Sequence, residues 1–94
     1  MKLLWTARAL ADLIDIADYV SERNPVAARA MGDRLRGAID KLPDFPMAGR
    51  PGRVAETREL VVPDTPFVVP YRVRNGRIEV LAIFHAARDW PEHF

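Results

Sequence analysis

The chain contains no cysteine, which removes disulfide frameworks and thiolate metal sites and suits a reducing compartment, read here as the cytoplasm. Long hydrophobic runs are missing as well: none approaches the roughly 20 apolar residues that cross a bilayer. The opening Met1-Lys2-Leu3-Leu4-Trp5-Thr6 leads directly into a helix-start signal. It has neither the apolar stretch nor the small-residue cleavage site of a secretion signal, so a soluble protein is expected. An excess of charge of one sign is also lacking. Fourteen Lys and Arg stand against 13 Asp and Glu, a balance that disfavours a domain holding nucleic acid chiefly by neutralising phosphates. No P-loop, dinucleotide fingerprint, nucleophile elbow or zinc spacing is present, and neither cofactor nor metal is expected.

What remains is one domain, 1-94, with an apolar share of 49 %, enough for a single small core. The near-neutral total hides an uneven distribution. Asp12, Asp15, Asp18 and Glu22 make the first third acidic, whereas Arg50, Arg53 and Arg58 cluster in the middle with Glu56 among them. All basic residues except Lys2 and Lys41 are Arg, the side chain that suits carboxylates and phosphates, although a GC-rich genome gives the same bias. The three aspartates resemble a carboxylate row, but their three-residue spacing drifts around a helix and no His accompanies them. A solvated helix face is the expected role.

Periodicity divides the chain into elements. Leu3, Leu4 and Trp5 form a short strand ahead of Thr6, an N-cap that Trp5 and Leu10 flank as a hydrophobic staple. Leu10, Leu13, Ile14, Ala17 and Val20 then fall on one helical face to about Arg23. Asn24-Pro25 supplies a cap and a proline at the first helical position of a second helix. Its stripe is Ala28, Met31, Leu35, Ala38, Ile39 and Leu42, and Pro43 ends it. Arg29, Asp33, Arg36 and Asp40 form solvent-side pairs worth about 0.2–0.5 kcal/mol each. The segment from Pro43 to Arg53 carries three Pro and two Gly and reads as an ordered loop.

Three strands follow, Thr57 to Val62, Phe67 to Val73 and Arg77 to Phe84. Asn75-Gly76 signals a two-residue type I′ hairpin turn between the last two. Counting outward from that turn sets Val73 opposite Ile78, Arg72 opposite Glu79, Tyr71 opposite Val80, Val69 opposite Ala82 and Phe67 opposite Phe84. One face, with Phe67, Val69, Tyr71 and Val73, is assigned to the helices. The other pairs Pro70 with Leu81 and Val68 with Ile83. It forms a second apolar patch, to be covered either by a partner or by the chain's own loop 43–55 or the tail after Ala86. Pro70, unable to donate to a ladder, marks a bulge or a position that needs no N–H. The expected architecture is α+β: a short N-terminal strand and an antiparallel helix hairpin packed on one face of a small antiparallel sheet, in the order β-α-α-β-β-β.

That order, with the strings Gly49-Arg50-Pro51-Gly52-Arg53, Thr57-Arg58-Glu59-Leu60-Val61, Pro70-Tyr71-Arg72-Val73 and His85-Ala86-Ala87-Arg88-Asp89-Trp90-Pro91, resembles the RelE/ParE toxins along essentially the whole chain. The resemblance implies a type II toxin, neutralised by an antitoxin that wraps it. The patch at Val68, Pro70, Leu81 and Ile83 is the expected antitoxin footprint. Within such a family, ParE-like members poison DNA gyrase, and RelE-like members cut mRNA on the ribosome, which needs a general base, a general acid and a cation. Residues available for that chemistry are Arg53, Arg58, Arg72, His85 and Arg88. However, Val68 stands where the ribonuclease branch has an Arg, Ala86 follows His85 where an Arg is usual, and the C-terminal Tyr is absent. The ParE-like reading is therefore preferred, with no catalytic residue assigned and Arg50, Arg53, Arg88 and Trp90 as target contacts. A non-toxic adaptor domain is a remote third reading.

Overall fold

The computed structural model describes residues 1–87, 90, 91 and 94. Two capped helices and six strands follow one another in it: β1 (Lys2–Trp5), α1 (Ala7–Ser21), α2 (Pro25–Asp40), β2 (Arg50–Pro51), β3 (Arg58–Val61), β4 (Phe67–Arg74), β5 (Arg77–Val80) and β6 (Phe84–His85). The helices start where their side-chain caps are. The Thr6 hydroxyl accepts the Ala9 N–H at 3.2 Å and the Asn24 amide oxygen accepts the Ala27 N–H at 3.1 Å, so each satisfies a donor that has no partner inside the helix. Of the solvent-side pairs on α2, the structure forms Arg36–Asp33 at 3.1 Å.

The sheet runs β1-β5-β4-β3-β2, with β6 pairing β4 beyond the end of β5. It is mixed rather than wholly antiparallel, because β1 lies parallel to β5, with Leu3 beside Ile78 and Trp5 beside Val80. At the hairpin the register is the one counted from the turn: Arg74 faces Arg77, Val73 faces Ile78, Arg72 faces Glu79 and Tyr71 faces Val80. Asn75 and Gly76 adopt φ of 52° and 72°, the left-handed pair that a type I′ turn requires. Ala9, Leu35, Ile39 and Leu42 pack with Val69, Tyr71, Ile78 and Val80 into one core, with Leu13, Ile16, Met31 and Ala38 at its margin. Burial of each large side chain stabilises the fold by about 1.5–3 kcal/mol.

Beyond Val80 the register changes. Pro70 accepts the Leu81 N–H at 2.9 Å and has no N–H to return, so the ladder loses its reciprocal bond there. The chain takes up one extra residue before it pairs again, with Val68 opposite Phe84 and Phe67 opposite His85. Such a bulge reverses the sidedness of everything after it. Ile83, expected on the face away from the helices, joins the helix-side core; Phe84, expected opposite Phe67 on the helix side, stands with Val68 on the outer face instead.

The bulge would leave the Ile83 N–H without a partner, and Asp12 of α1 supplies one. Its carboxylate accepts that N–H at 3.0 Å and is gripped by Arg8 Nε at 3.2 Å to each oxygen. Asp15 and Asp18 are solvent-exposed as expected, but Asp12 is an internal anchor. Asp12→Ala should therefore lower stability by about 1–2 kcal/mol, while Asp15→Ala stays within about 0.5 kcal/mol. Urea unfolding of the two variants measures the difference, and equal midpoints would contradict the anchoring role.

Candidate functional site

The face of the sheet away from the helices is built from alternate strand positions, and its cations are organised by single carboxylates. Glu59 of β3, opposite both Pro70 and Arg50, is 2 % exposed. It accepts the Arg53 main-chain N–H at 2.8 Å, Arg53 Nε at 3.2 Å and Arg50 Nη2 at 3.2 Å. Burial works to raise the pKa of this carboxyl, but the hydrogen bonds from Arg53 and Arg50 outweigh it and hold it below the ordinary carboxylate value. Glu79 of β5 is held low too, chiefly by a 2.6 Å bond from Arg72 Nε, with Arg77 at 3.4 Å.

The loop that presents Arg50 and Arg53 is fastened from the helix side. The buried Tyr71 hydroxyl accepts the Gly49 N–H at 2.9 Å and donates to the Pro46 carbonyl at 2.8 Å. Arg58, opposite Tyr71, donates to the Gly49 carbonyl at 2.8 Å and to that of Met47 at 3.4 Å. A Cβ on Gly49 would lie 2.7 Å from the Tyr71 ring and 2.9 Å from the Glu59 main chain, and one on Gly52 would collide with the Thr57 hydroxyl. The two glycines of the Gly-Arg-Pro-Gly-Arg string thus serve close backbone approach.

The C-terminal stretch lies across this outer face. Trp90 and Phe94 pack on Phe84 with ring centroids 4.8 and 6.2 Å away, and the Arg53 guanidinium stacks on Trp90 at 3.9 Å. Pro91 and Phe94 border a hollow shared with Leu81, Arg72 and Arg8. Val68, Pro70, Leu81 and Ile83 are consequently all buried within the chain itself. The patch expected to be open is corrected on two counts: the tail after Ala86 covers three of its members, and the bulge turns the fourth, Ile83, inward.

The candidate catalytic residues do not converge. Arg53 and Arg72 lie on the outer face, engaged with Glu59 and Glu79. Arg58 is on the helix side of the sheet, as is His85, which is opposite Phe67, packs edge-on to its ring at 6.0 Å and accepts the Ala87 N–H through Nδ1. Arg88 lies outside the described residues. Among the target contacts, Arg50 and Arg53 are about half exposed and Trp90 is partly buried. Among the described residues, no cluster of His, Asp and Glu has the arrangement to hold a metal ion, and no helix is long and apolar enough to cross a membrane. Sequence reasoning missed Glu59. Its signal was the three arginines around it, Arg50, Arg53 and Arg58, two of which it binds.

Residues 3–90 match the family model of the ParE toxin of the type II toxin–antitoxin system, parDE. The chain belongs to the ParE toxin family. It is similar to Y4kP of Sinorhizobium fredii, 41 % identical over 91 residues covering 97 % of this chain and 94 % of that one. It is also similar to the toxin RelE2 of Caulobacter vibrioides, 45 % identical over 87 residues covering 93 % and 97 %. Among solved structures, the chromosomal ParDE system from P. aeruginosa superposes with a TM-score of 0.83 and 32 % identity, over 90 % of this chain and 95 % of that chain. This ParE-family toxin is a type II toxin with an antitoxin as its partner.

Two predictions follow from how its loop is fastened. Gly49→Ala should cost about 1–3 kcal/mol, because Tyr71 and the β3 main chain must both move; thermal unfolding checks it, and a variant as stable as the parent would show that the loop is not clamped. Glu59 and Glu79 are both held below 4.5, so the native state binds protons less readily than the unfolded chain. Their stabilisation is full above the ordinary carboxylate value and is lost as pH falls below it. Glu59→Gln should flatten the decline of the thermal midpoint between about pH 5 and pH 3. An unchanged slope would rule out Glu59 as a contributor.

Proposed function

We propose that this toxin acts in the cytoplasm by binding DNA gyrase rather than by cutting RNA. The observation that carries the reading is the division of its candidate catalytic side chains between two faces. Arg53 and Arg72 are tied to buried or half-buried carboxylates on the outer face, while Arg58 and His85 serve the opposite side. General acid–base cleavage of a phosphodiester needs its base, acid and cation around one reacting group, whereas a binding inhibitor needs only a firm surface. Arg50, Arg53 and Trp90 offer one, fixed by the Glu59 bridge and the Arg53–Trp90 stack; Arg88 precedes Trp90 by two positions and completes the expected set of target contacts.

The antitoxin footprint proposed at Val68, Pro70, Leu81 and Ile83 takes a specific physical form. An antitoxin that reaches Val68, Pro70 and Leu81 has to lift Trp90, Pro91 and Phe94 from Phe84 and Leu81, and its own apolar side chains replace the buried area lost. The name RelE2 of the Caulobacter relative favours a second reading, ribosome-dependent mRNA cleavage. Purified protein added to a gyrase supercoiling reaction should inhibit supercoiling and trap cleaved DNA on the enzyme, and a translating extract probed by primer extension should remain uncut. Codon-specific cuts with unaffected gyrase would reverse the assignment.

A further inference from the structure

The rows of the outer face nearest the hairpin turn take no part in the contacts described so far. Lys2, Arg77 and Arg74 are register partners on three adjacent strands, so their Cα atoms follow one another at about 4.8 Å. In the next row Leu4, Glu79 and Arg72 are aligned in the same way. Glu79 is thus the one carboxylate among four cations. It is taken by Arg72 and Arg77, while Lys2 and Arg74 form no ion pair among the described residues. The Arg77 Nε is buried without a hydrogen-bond partner.

Beside this row the sheet is open. β1 is the terminal strand; Lys2 and Thr6 donate to Gly76 and Val80 of the β5 side, so by strand alternation the N–H and C=O groups of Leu3 and Trp5 point to the free edge. Leu4, 39 % exposed, stands beside Lys2 on the outer face. We propose that this edge docks an extended acidic segment of the antitoxin, which adds as a strand to β1. Its carboxylates meet the Lys2–Arg77–Arg74 row, and an apolar residue two positions along lies on Leu4. That the segment belongs to the antitoxin rests on the two-component nature of the family; its chemistry rests on the row and the edge alone. Nucleic acid would answer the charge, but it carries no regular line of N–H donors for the Leu3 and Trp5 carbonyls. The lysine also discourages pairing with neutral or basic strands.

The test uses the full chain with three probes: an acetylated, amidated nonapeptide of alternating Glu and Val, its Lys/Val counterpart, and a single-stranded DNA ten-mer. At low salt the acidic peptide should bind and slow hydrogen exchange at the Leu3 and Trp5 amides. The double variant Lys2→Glu with Arg74→Glu should weaken it about tenfold, with an unchanged melting curve because both side chains are exposed. No binding, equal binding of the basic peptide, binding without protection of those two amides, or displacement by the ten-mer would each overturn the proposal. The readout is amide protection on β1, so it stands or falls separately from the gyrase target.

Discussion

One missing proton shapes the molecule: the N–H that Pro70 does not have. A strand residue at the centre of a sheet normally exchanges two hydrogen bonds with its neighbour, and here only the Leu81 N–H to Pro70 carbonyl bond exists. The strand that follows slips by one residue, and three consequences depend on that slip. Ile83 enters the helix-side core, Asp12 is drawn in to satisfy its N–H, and Phe84 is delivered to the outer face as the platform for Trp90 and Phe94. Without the slip, the tail would have no aromatic ring to rest on.

Near-neutrality of the whole conceals a division of labour among its carboxylates. Asp12, Glu59 and Glu79 each hold main-chain or arginine donors at positions where strands or loops would otherwise part. Such buried or half-buried acids work locally. They immobilise Arg8, Arg50, Arg53 and Arg72 as shaped surface, which is a different use of arginine from a diffuse positive field. This also accounts for the reach of the Gly49–Arg53 string: Glu59 holds it from one side of the sheet, Tyr71 and Arg58 from the other.

Much of this was legible in the residues because the deciding interactions are local. The Thr6 and Asn24 caps, the apolar stripe of α2 and the Asn75-Gly76 turn each involve residues within a few positions of one another, and the hairpin register followed from the turn as far as Val80. The sequence pointed to trouble at Pro70 without saying which side of it would take the extra residue, so Ile83 and Phe84 were placed on the wrong faces. Asp12 read as a surface aspartate because its partner is 71 positions away. The parallel placement of β1 beside β5 joins the two ends of the chain, and no local pattern carries it. The site was less legible than the fold. Alternation puts Arg58 and Arg72 on opposite faces only once the pairing of β3 with β4 is known, and the tail's choice of the outer face depends on where Phe84 emerges.

The two margins of the sheet are unlike. At the far side β2 is two residues long, and its outward-facing member, Pro51, has no N–H to offer. At the near side β1 presents four residues with main-chain groups free. A polypeptide that adds to the near margin finds no matching margin across the molecule on which a second could be templated. Assembly through strand addition is therefore self-terminating: the toxin can be capped by one guest but cannot serve as a repeat unit of a filament.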